Sequence, residues 1–298
     1  MTEKYNLKTM IPTAVAASFE KRLEKELVIG KAARIEFKDG VNKGDEVKVI
    51  MPARVTVNKW DGGDLNTPEK LDASDVKVKI DQGLYVNFEL EKAKEIQIQN
   101  AKNADEAAKL IDEYSSDARY QVRDAVDTAL GQLYTMAGSK IDKNGSAYAL
   151  TQNNFFQFLA DMKAKMARLN VFQSGKMSCY LPPEAVAVAL GMTMSQYTES
   201  QVKDIKTGFV SEKAGWKIYE SNNVAVVDNS GTKLYYPLFT VDGRTFAAPL
   251  QKSLELIPYM RDESVNKAFK GTYVFGRGVP NAKYLGTCCW SIAEGEYE

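Results

Sequence analysis

The sequence predicts an α+β fold, in which helices and strands are mixed without a regular alternation of strand and helix. Apolar residues recur at helical spacing over 103–138 and at every second position over much of 47–90. Short alternating stretches, separated by turn-forming residues, then recur between 216 and 290. A chain of 298 residues can bury a sizeable core, so we expect one large or two modest domains.

The first predicted element is a short amphipathic helix over 11–33. Pro12 suits its first turn and Gly30 lies near its end. Its apolar positions are Val15, Phe19, Leu23, Leu27 and Ala33. The apolar stretch 11–17 contains Pro12 and runs into charged residues, so we interpret it as the start of this helix rather than an export signal.

A long antiparallel ribbon is predicted over 34–98. The alternating stretches are 47–51, 55–57, 76–80 and 84–90. Asp81-Gln82-Gly83 would form a hairpin loop between the last two, and the turn formers of 61–68 would make the tip. Because a two-stranded ribbon is marginally stable in water, a neighbouring subunit is the simplest candidate to cover its apolar face. The alternative is an ordinary sheet edge within one domain.

A long helix is predicted over 103–138. Asn103 is a good N-cap with Glu106 three positions later, and the apolar stripe continues as far as Gly138. Unbroken, this helix would be roughly 54 Å long at ~1.5 Å per residue, which is longer than a small domain is wide. A coiled coil is the alternative, but the stripe is rich in alanine and lacks sustained heptads.

A second helix, a strand and a third helix follow. Thr151 is the predicted cap of the second helix, whose apolar face comprises Phe155, Phe158, Leu159, Met162, Met166 and Leu169. Residues 177–181 alternate as a strand, and Pro182-Pro183-Glu184 opens a helix that reaches Leu190. The remaining predicted strands are 216–219, 224–227, 233–236, 244–248, 252–257, 271–275 and 282–290.

Residues 208–223 predict a β-hairpin. The order is strand, tight turn at Gly215, alternating strand over 216–219, and a polar Ser-Asn-Asn turn. Asn222 and Asn223 suit the left-handed conformations that would end the second strand.

Composition argues against most catalytic chemistry. Lys and Arg together number 39, as do Asp and Glu, and histidine is absent, which removes the commonest general base and metal ligand. The three cysteines, Cys179, Cys288 and Cys289, fit neither a disulfide framework nor a zinc site and favour synthesis in a reducing cytoplasm. No apolar run approaches the ~20 residues that span a bilayer, so no membrane partner is predicted.

No catalytic, cofactor or metal site is predicted. Gly276-Arg277-Gly278 lacks the further residues of a nucleotide loop, and Asp61 and Asp64 lack EF-hand spacing. The carboxylates of the long helix are interpreted as its solvated or partner-facing side: Asp112, Glu113, Asp117 and Asp124. Arg119 and Arg123, four residues apart, would pair with them.

Several motifs, in order, resemble the major capsid proteins of tailed bacteriophages that have the Hong Kong ninety-seven type fold. Residues 11–12 (Ile-Pro) lead into 23–28 (Leu-Glu-Lys-Glu-Leu-Val), and 43–47 (Lys-Gly-Asp-Glu-Val) open the ribbon. Residues 180–184 (Tyr-Leu-Pro-Pro-Glu) precede the hairpin of 208–223, where Gly-Trp-Lys-Ile-Tyr-Glu-Ser-Asn-Asn stands. Phe269, Gly271 and the run Tyr-Val-Phe-Gly at 273–276 complete the series, which spans nearly the whole chain.

The resemblance implies a domain organisation. Residues 1–33 would be an N-terminal arm, and 34–99 an extended β-ribbon loop that overlaps the next subunit. Residues 100–171 and 251–279 would form a peripheral domain with the long helix as its spine. Residues 172–250 and 280–298 would form an axial α+β domain.

The resemblance also implies contacts between subunits. On the ribbon and its tip the expected contact residues are Lys59, Trp60, Asp61, Asp64 and Leu65. Phe19 and Leu23 would act from the N-terminal arm, and Arg119 and Arg123 from the spine helix. Some relatives cross-link a ribbon lysine to a neighbour's asparagine. In this chain the residues available for such a cross-link are Lys59 or Lys70 and Asn266 or Asn281.

The function that the resemblance implies is structural. Copies would assemble through hexamers and pentamers into an icosahedral head shell that encloses double-stranded DNA without sequence-specific binding. Expected partners are a separate scaffolding protein, a portal and decoration proteins, with assembly in the cytoplasm of the bacterial host and residence in the virion capsid. The alternatives are an encapsulin-like compartment shell, a phage tail-tube or adaptor protein, and a histidine-free enzyme.

Overall fold

The computed structural model describes residues 28–34, 46–51, 55–60, 62, 67–71, 74–90, 104–142, 146–190, 209–260 and 266–292. Within them the α-helices are α1 (Ala104–Gly131), α2 (Phe155–Arg168) and α3 (Pro183–Leu190). Short 3-10 helices cover Ile29–Ala32, Gln132–Met136 and Ala282–Tyr284. The α+β class is confirmed.

The strands of the first half are β1 (Ala33–Arg34), β2 (Glu46–Met51), β3 (Ser74–Lys79), β4 (Gln82–Leu90), β5 (Ser139–Ile141), β6 (Tyr148–Ala149) and β7 (Met177–Leu181). The next are β8 (Phe209–Lys213), β9 (Trp216–Glu220), β10 (Ala225–Asn229), β11 (Thr232–Tyr236), β12 (Leu238–Val241) and β13 (Phe246–Ala247). The last are β14 (Leu250–Lys252), β15 (Ile257–Met260), β16 (Lys267–Phe275), β17 (Leu285–Cys288) and β18 (Trp290–Ser291). No helix in this part of the chain combines the length and the apolar character needed to cross a membrane.

A six-stranded sheet in the order β5-β17-β12-β7-β9-β8 forms the centre of the larger core. Strand β7 lies between antiparallel β12 and parallel β9, and all five of its residues are buried. Cys179 and its alternate neighbours pack with α2 and α3, whereas Tyr180 packs on the other face with Ile29 and the end of α1. Both faces of the sheet are therefore covered.

Helices α2 and α3 follow the sequence prediction closely. Phe155 and the predicted apolar face of α2 are buried, except Leu169, which is 37 % exposed. The prediction that Thr151 caps α2 is wrong, because the N-cap residue is Asn154. The carbonyl of Thr151 instead accepts hydrogen bonds from the N–H groups of Asn154 and Phe155. Helix α3 begins at Pro183 and reaches Leu190 as predicted.

The hairpin of β8 and β9 is confirmed, with one correction. Its turn is made by Ala214 and Gly215, which have φ values of 52° and 84°, so both adopt the left-handed region that a tight hairpin turn requires. Neither Asn222 nor Asn223 has a positive φ. Asn223 is instead buried, and its backbone N–H donates to the hydroxyl of Ser221.

The ribbon prediction is confirmed for one strand pair and wrong for the other. Strand β2 pairs with β3 in antiparallel register from Glu46 opposite Lys79 to Met51 opposite Ser74. The predicted hairpin loop Asp81-Gln82-Gly83 does not form, because β4 begins at Gln82 and pairs along its whole length with β16. Residues 55–57, predicted as a strand, have no regular structure.

Strand β4 joins β14, β15 and β16 in a four-stranded sheet that packs on α1. Phe88 of β4 stacks on Phe269 of β16 at 5.2 Å between ring centroids, and its ring lies 6.0 Å from that of Tyr114 on α1. This apolar contact explains why β4 leaves β3: the sheet offers a covered face that a bare hairpin lacks.

Helix α1 is shorter than predicted, because it ends at Gly131 and a 3-10 helix follows. The 28 α-helical residues span roughly 42 Å at ~1.5 Å per residue. A Cβ on Gly131 would lie 2.1 Å from the carbonyl oxygen of Asn223, so the chain after β9 crosses the helix at this glycine. The predicted N-cap Asn103 lies outside the described residues.

The N-terminal helix prediction is wrong where it can be compared. Residues 11–27 lie outside the described residues, Ile29–Ala32 form a 3-10 turn, and Ala33 begins strand β1. Ala33 pairs in parallel with Phe246 of β13, so the chain enters the fold as a strand.

The later strands were predicted with uneven success. Strands at 224–227, 233–236 and 271–275 are confirmed with shifted ends. Strand β12 was missed, because its four residues are all buried and do not alternate. The stretch 252–257 is largely the connection between β14 and β15, and 282–284 is a 3-10 turn rather than the start of a strand.

Candidate assembly interface

The base of the ribbon packs tightly on the rest of the chain. Val47 and Val78 face each other across β2 and β3, and both are buried. Gly278 lies against Val78, and a Cβ on Gly276 would lie 2.5 Å from the carbonyl oxygen of Lys79. The Gly-Arg-Gly sequence at 276–278 therefore serves close packing of the ribbon base.

Beyond its base the ribbon exposes apolar side chains. Their exposed fractions are Ile50 70 %, Val55 68 %, Val57 92 %, Trp60 69 % and Leu71 50 %. We call these five residues the ribbon patch. Exposed apolar side chains that are this frequent along one segment favour a surface that binds another molecule, and a tryptophan among them is typical of the residues that dominate binding energy.

Polar contacts hold the two sides of the ribbon together without covering the patch. The Lys77 ammonium lies 2.9 Å from the Glu46 carboxylate, and its hydrogen bond lowers the pKa of Glu46. Farther out, the backbone N–H of Thr56 donates to Oε2 of Glu69 at 3.0 Å, and its hydroxyl donates to Oε1 at 3.1 Å. Because these contacts are exposed, each adds little stability, and they leave the ribbon patch open to a partner.

The predicted contact residues are distributed as follows. Lys59 and Trp60 are exposed on the ribbon, and Arg119 and Arg123 are exposed on α1. The other five lie outside the described residues: Asp61, Asp64, Leu65, Phe19 and Leu23.

A buried carboxylate joins α1 to the chain that enters from the N-terminal side. The two oxygens of Asp127 accept hydrogen bonds from the backbone N–H groups of Ile29 at 3.1 Å and Gly30 at 2.8 Å. Asp127 is 3 % exposed. These bonds satisfy donors at the start of a 3-10 turn, which has no earlier carbonyls to bind them.

The same end of α1 also binds the segment after β9. The side-chain amide of Asn223 donates to Oδ1 of Asp124 at 2.9 Å. The guanidinium of Arg277 donates to the carbonyl of Ala129 at 2.7 Å. One short stretch of α1, 124–131, therefore contacts three separate parts of the chain. The prediction that Asp124 faces solvent or a partner is wrong.

The sequence analysis did not identify Asp127 or Asn223 as structural residues, although one signal pointed to Asp127. It lies three positions before the fully buried Leu130, on the apolar stripe of the helix. A carboxylate on a buried face requires hydrogen-bond donors. No comparable signal pointed to Asn223, because a Ser-Asn-Asn turn is equally compatible with a buried and a solvent-exposed position.

Asp127 makes a pH-dependent contribution to stability. Burial raises the pKa of its carboxyl above the ordinary value of 3.8, against the opposing effect of the hydrogen bonds from Gly30 and Ile29. A carboxyl with a raised folded pKa binds a proton more readily in the folded chain, so its contribution is lost as pH rises through that pKa. Asp127→Asn removes this ionisation. We therefore expect the unfolding free energy of the wild type minus that of the variant to fall as the pH rises above the ordinary carboxyl pKa of 3.8 and through the raised folded pKa.

Urea unfolding at a series of pH values measures this difference. Asp112→Asn is the matched control, because Asp112 is an exposed carboxyl on the same helix. A wild-type advantage over Asp127→Asn that grows with pH would contradict the assignment.

The cysteines are buried and free. Burial raises the pKa of the Cys179 and Cys288 thiols, which makes both poor nucleophiles. Among the described residues, no group of three or more His, Cys, Asp or Glu side chains is arranged to hold a metal ion.

The sequence matches one protein family over most of its length. The model of the family described as "P22 coat protein - gene protein 5" matches residues 6–232. A comparison with curated proteins found no match.

Solved structures share the fold at low sequence identity. The capsid structure of the Cyanophage P-SCSP1u is similar with a TM-score of 0.69 and 13% identity, over 96% of this chain and 94% of that one. The capsid of Ralstonia phage GP4 gives a TM-score of 0.68 and 9% identity, over 99% of both chains. A structure from Mycobacterium phage Che8 gives 0.63 and 15% identity, over 91% and 95%. These similarities show that the whole fold is shared.

Proposed function

The chain belongs to the P22 coat protein family and is a structural protein of a phage capsid, and we propose that its copies assemble through hexamers and pentamers into an icosahedral head shell around double-stranded DNA. A closed shell requires a subunit with complementary surfaces that repeat around five-fold and six-fold axes. Its role in this proposal is structural rather than enzymatic.

The observation that carries the proposal is the ribbon patch. A ribbon whose base is buried and whose outer part exposes Val57 and Trp60 needs a second molecule to cover it. In the proposed shell the ribbon, as part of an extended loop over 34–99, lies on the next subunit. Lys59 and the tip residues Asp61, Asp64 and Leu65 would border this contact.

The proposed subunit consists of an N-terminal arm, a peripheral domain and an axial domain. We assign 100–171 and 251–279 to a peripheral domain and 172–250 with 280–298 to an axial domain, with 1–33 as an N-terminal arm. The hydrogen bonds of Asp127 and Asn223 cross these boundaries. They support an arrangement in which α1 holds the end of the arm and part of the axial domain together. Phe19 and Leu23 of the arm, and Arg119 and Arg123 on α1, would contact neighbours.

The proposed partners follow from shell assembly. A separate scaffolding protein would guide the copies in the host cytoplasm, a portal would occupy one vertex, and decoration proteins would bind the outside. The DNA would be enclosed without sequence-specific contacts, consistent with equal numbers of basic and acidic residues. A family match to a phage coat protein favours this reading over an encapsulin-like compartment.

Trp60→Ala tests the ribbon contact. Because Trp60 is exposed, we expect the unfolding free energy of the isolated chain to change by no more than about 0.5 kcal/mol. Loss of a central interface tryptophan costs about 2 kcal/mol or more, so the concentration at which shells form should rise roughly 30-fold.

Light scattering against protein concentration, with electron microscopy of the products, measures this threshold. Trp60→Phe is the matched control, since it keeps most of the aromatic surface and should assemble nearly as well as the wild type. Unchanged assembly of Trp60→Ala would contradict a ribbon contact centred on this residue.

A further inference from the structure

A groove of about 720 Å³ lies between strand β2 of the ribbon and the body of the chain. Val49, Ile50 and Met51 line it on the ribbon side, and Leu169 and Val171 line it on the other. Its volume falls within the ~300–1,000 Å³ that is usual for ligand-binding clefts. It also accounts for the exposure of Leu169, whose side chain lines the groove rather than the core.

The groove is positively charged at its polar positions. Arg244 and Lys283 line it, and the described lining residues include no carboxylate. Arg34 also lines the groove but already interacts with another part of the chain. Cations beside apolar walls focus their field into a cleft and favour an occupant of opposite charge. An occupant that matches both properties would combine carboxylates with an apolar or aromatic side chain.

Among the stretches outside the described residues, one matches that chemistry best. Residues 293–298 read Ala-Glu-Gly-Glu-Tyr-Glu, with three glutamates, one tyrosine and no cation. Other stretches outside the described residues fit less well: 1–27 and 91–103 carry more cations than carboxylates, and 191–208 is balanced. Residues 35–45 carry three carboxylates but also two lysines, and 261–265 combine two carboxylates with an arginine. Asp61 and Asp64 lie in the tip stretch 61–66, which has no aromatic side chain. A tyrosine can bury its ring against apolar walls while its hydroxyl remains in water.

The segment of the same copy is poorly placed to enter its own groove. Tyr284 lines the groove, and β17 begins at the next residue. Strand β17 runs antiparallel to β12, which itself ends near the groove-lining Arg244, so β17 carries the chain away from the groove. Segment 293–298 of a neighbouring copy can reach the groove without the chain having to turn back on itself.

We propose that the groove between β2 and the body binds the acidic segment 293–298 of a neighbouring copy. The inference rests on the proposed function, because it needs many copies arranged side by side. Glutamates of the segment pair with Arg244 and Lys283, and the Tyr297 ring packs on the apolar wall. An occupied groove fixes the ribbon relative to the body, so the segment of one copy sets the direction in which its neighbour's ribbon extends.

A designed disulfide in the full-length chain tests the contact. Lys283→Cys combined with Glu296→Cys places one thiol at the groove and one in the segment, while the three native cysteines are buried. After mild oxidation of assembled shells, we expect a ladder of covalent oligomers on a non-reducing gel. Each single variant is the matched control and should give monomers.

A charge swap provides the second measurement. Arg244→Glu with Lys283→Glu should raise the protein concentration needed for assembly about tenfold, from lost ion pairs and new repulsion. Adding Glu294→Lys and Glu296→Lys should restore assembly. Shells that give neither the ladder nor the rescue would overturn the inference and leave the proposed function standing. A fast-migrating intramolecular product would overturn the neighbour assignment. Wild-type chains that never form shells would contradict both proposals.

Discussion

Replacing Trp216 with alanine is expected to lower the free energy of unfolding by about 3–5 kcal/mol. The side chain is fully buried, and its ring packs edge-on against Phe172 and Phe239 at 5.4 and 5.0 Å between centroids. Its indole N–H donates to the carbonyl of Leu159 at 3.1 Å. The variant therefore loses apolar contacts to two rings, leaves a cavity and removes the donor from a buried carbonyl.

Guanidinium unfolding followed by circular dichroism measures the change, and the slope with denaturant should stay near that of the wild type. Trp216→Phe is the matched control: it keeps an aromatic ring and loses the indole N–H, so the loss should be clearly smaller. A loss below about 1 kcal/mol for Trp216→Ala would show that the residue does not occupy a packed core.

Gly131→Ala is expected to destabilise the chain by about 3 kcal/mol or more, at the upper end of overpacking effects. Gly131 has φ −57° and ψ −37°, so alanine would suit the backbone and would ordinarily strengthen a helix end. The new Cβ would, however, lie 2.1 Å from the carbonyl oxygen of Asn223. Since a backbone atom cannot rotate away as a side chain can, the segment after β9 must move off α1.

Thermal unfolding compares Gly131→Ala with Thr128→Ala, an exposed position on the same helix that should be neutral or slightly stabilised. The sign of the result is decisive. A stabilised Gly131→Ala variant would mean that helix propensity outweighs contact, and that the segment after β9 does not cross α1 at this residue.

Local sequence signals predicted the elements whose contacts are local. The glycine at 215 signals a turn because it tolerates a left-handed backbone, and the α2 stripe from Phe155 to Met166 follows from helical spacing alone. Pro183 at the start of α3 restricts its own backbone to helical angles. Each of these depends on a few adjacent residues.

Pairing between distant strands could not be predicted in the same way. Asp81-Gln82-Gly83 is a good hairpin loop by composition, yet β4 pairs with β16, placing Phe88 opposite Phe269. The alternation of β4 shows that it has an apolar face but not which strand will pair with it. Likewise, the end of α1 at Gly131 depends on Asn223, which is far away in sequence.

The candidate interface was predictable in part. The exposure of Lys59 and Trp60 is consistent with a ribbon that contacts a second molecule. The groove beside β2 was not predictable, because Arg34, Arg244 and Lys283 come from separate parts of the chain. Only the folded chain brings these charges to one surface, so their spacing in the sequence does not predict that they share a groove.

Electron microscopy of the purified full-length chain, alone and co-expressed with the proposed scaffolding protein, tests the capsid proposal most directly. We expect closed shells with five-fold and six-fold capsomers, in which the ribbon around Trp60 lies on the neighbouring subunit. Monomers or small soluble oligomers under both conditions, with the chain folded, would contradict the proposal that this subunit builds an icosahedral head.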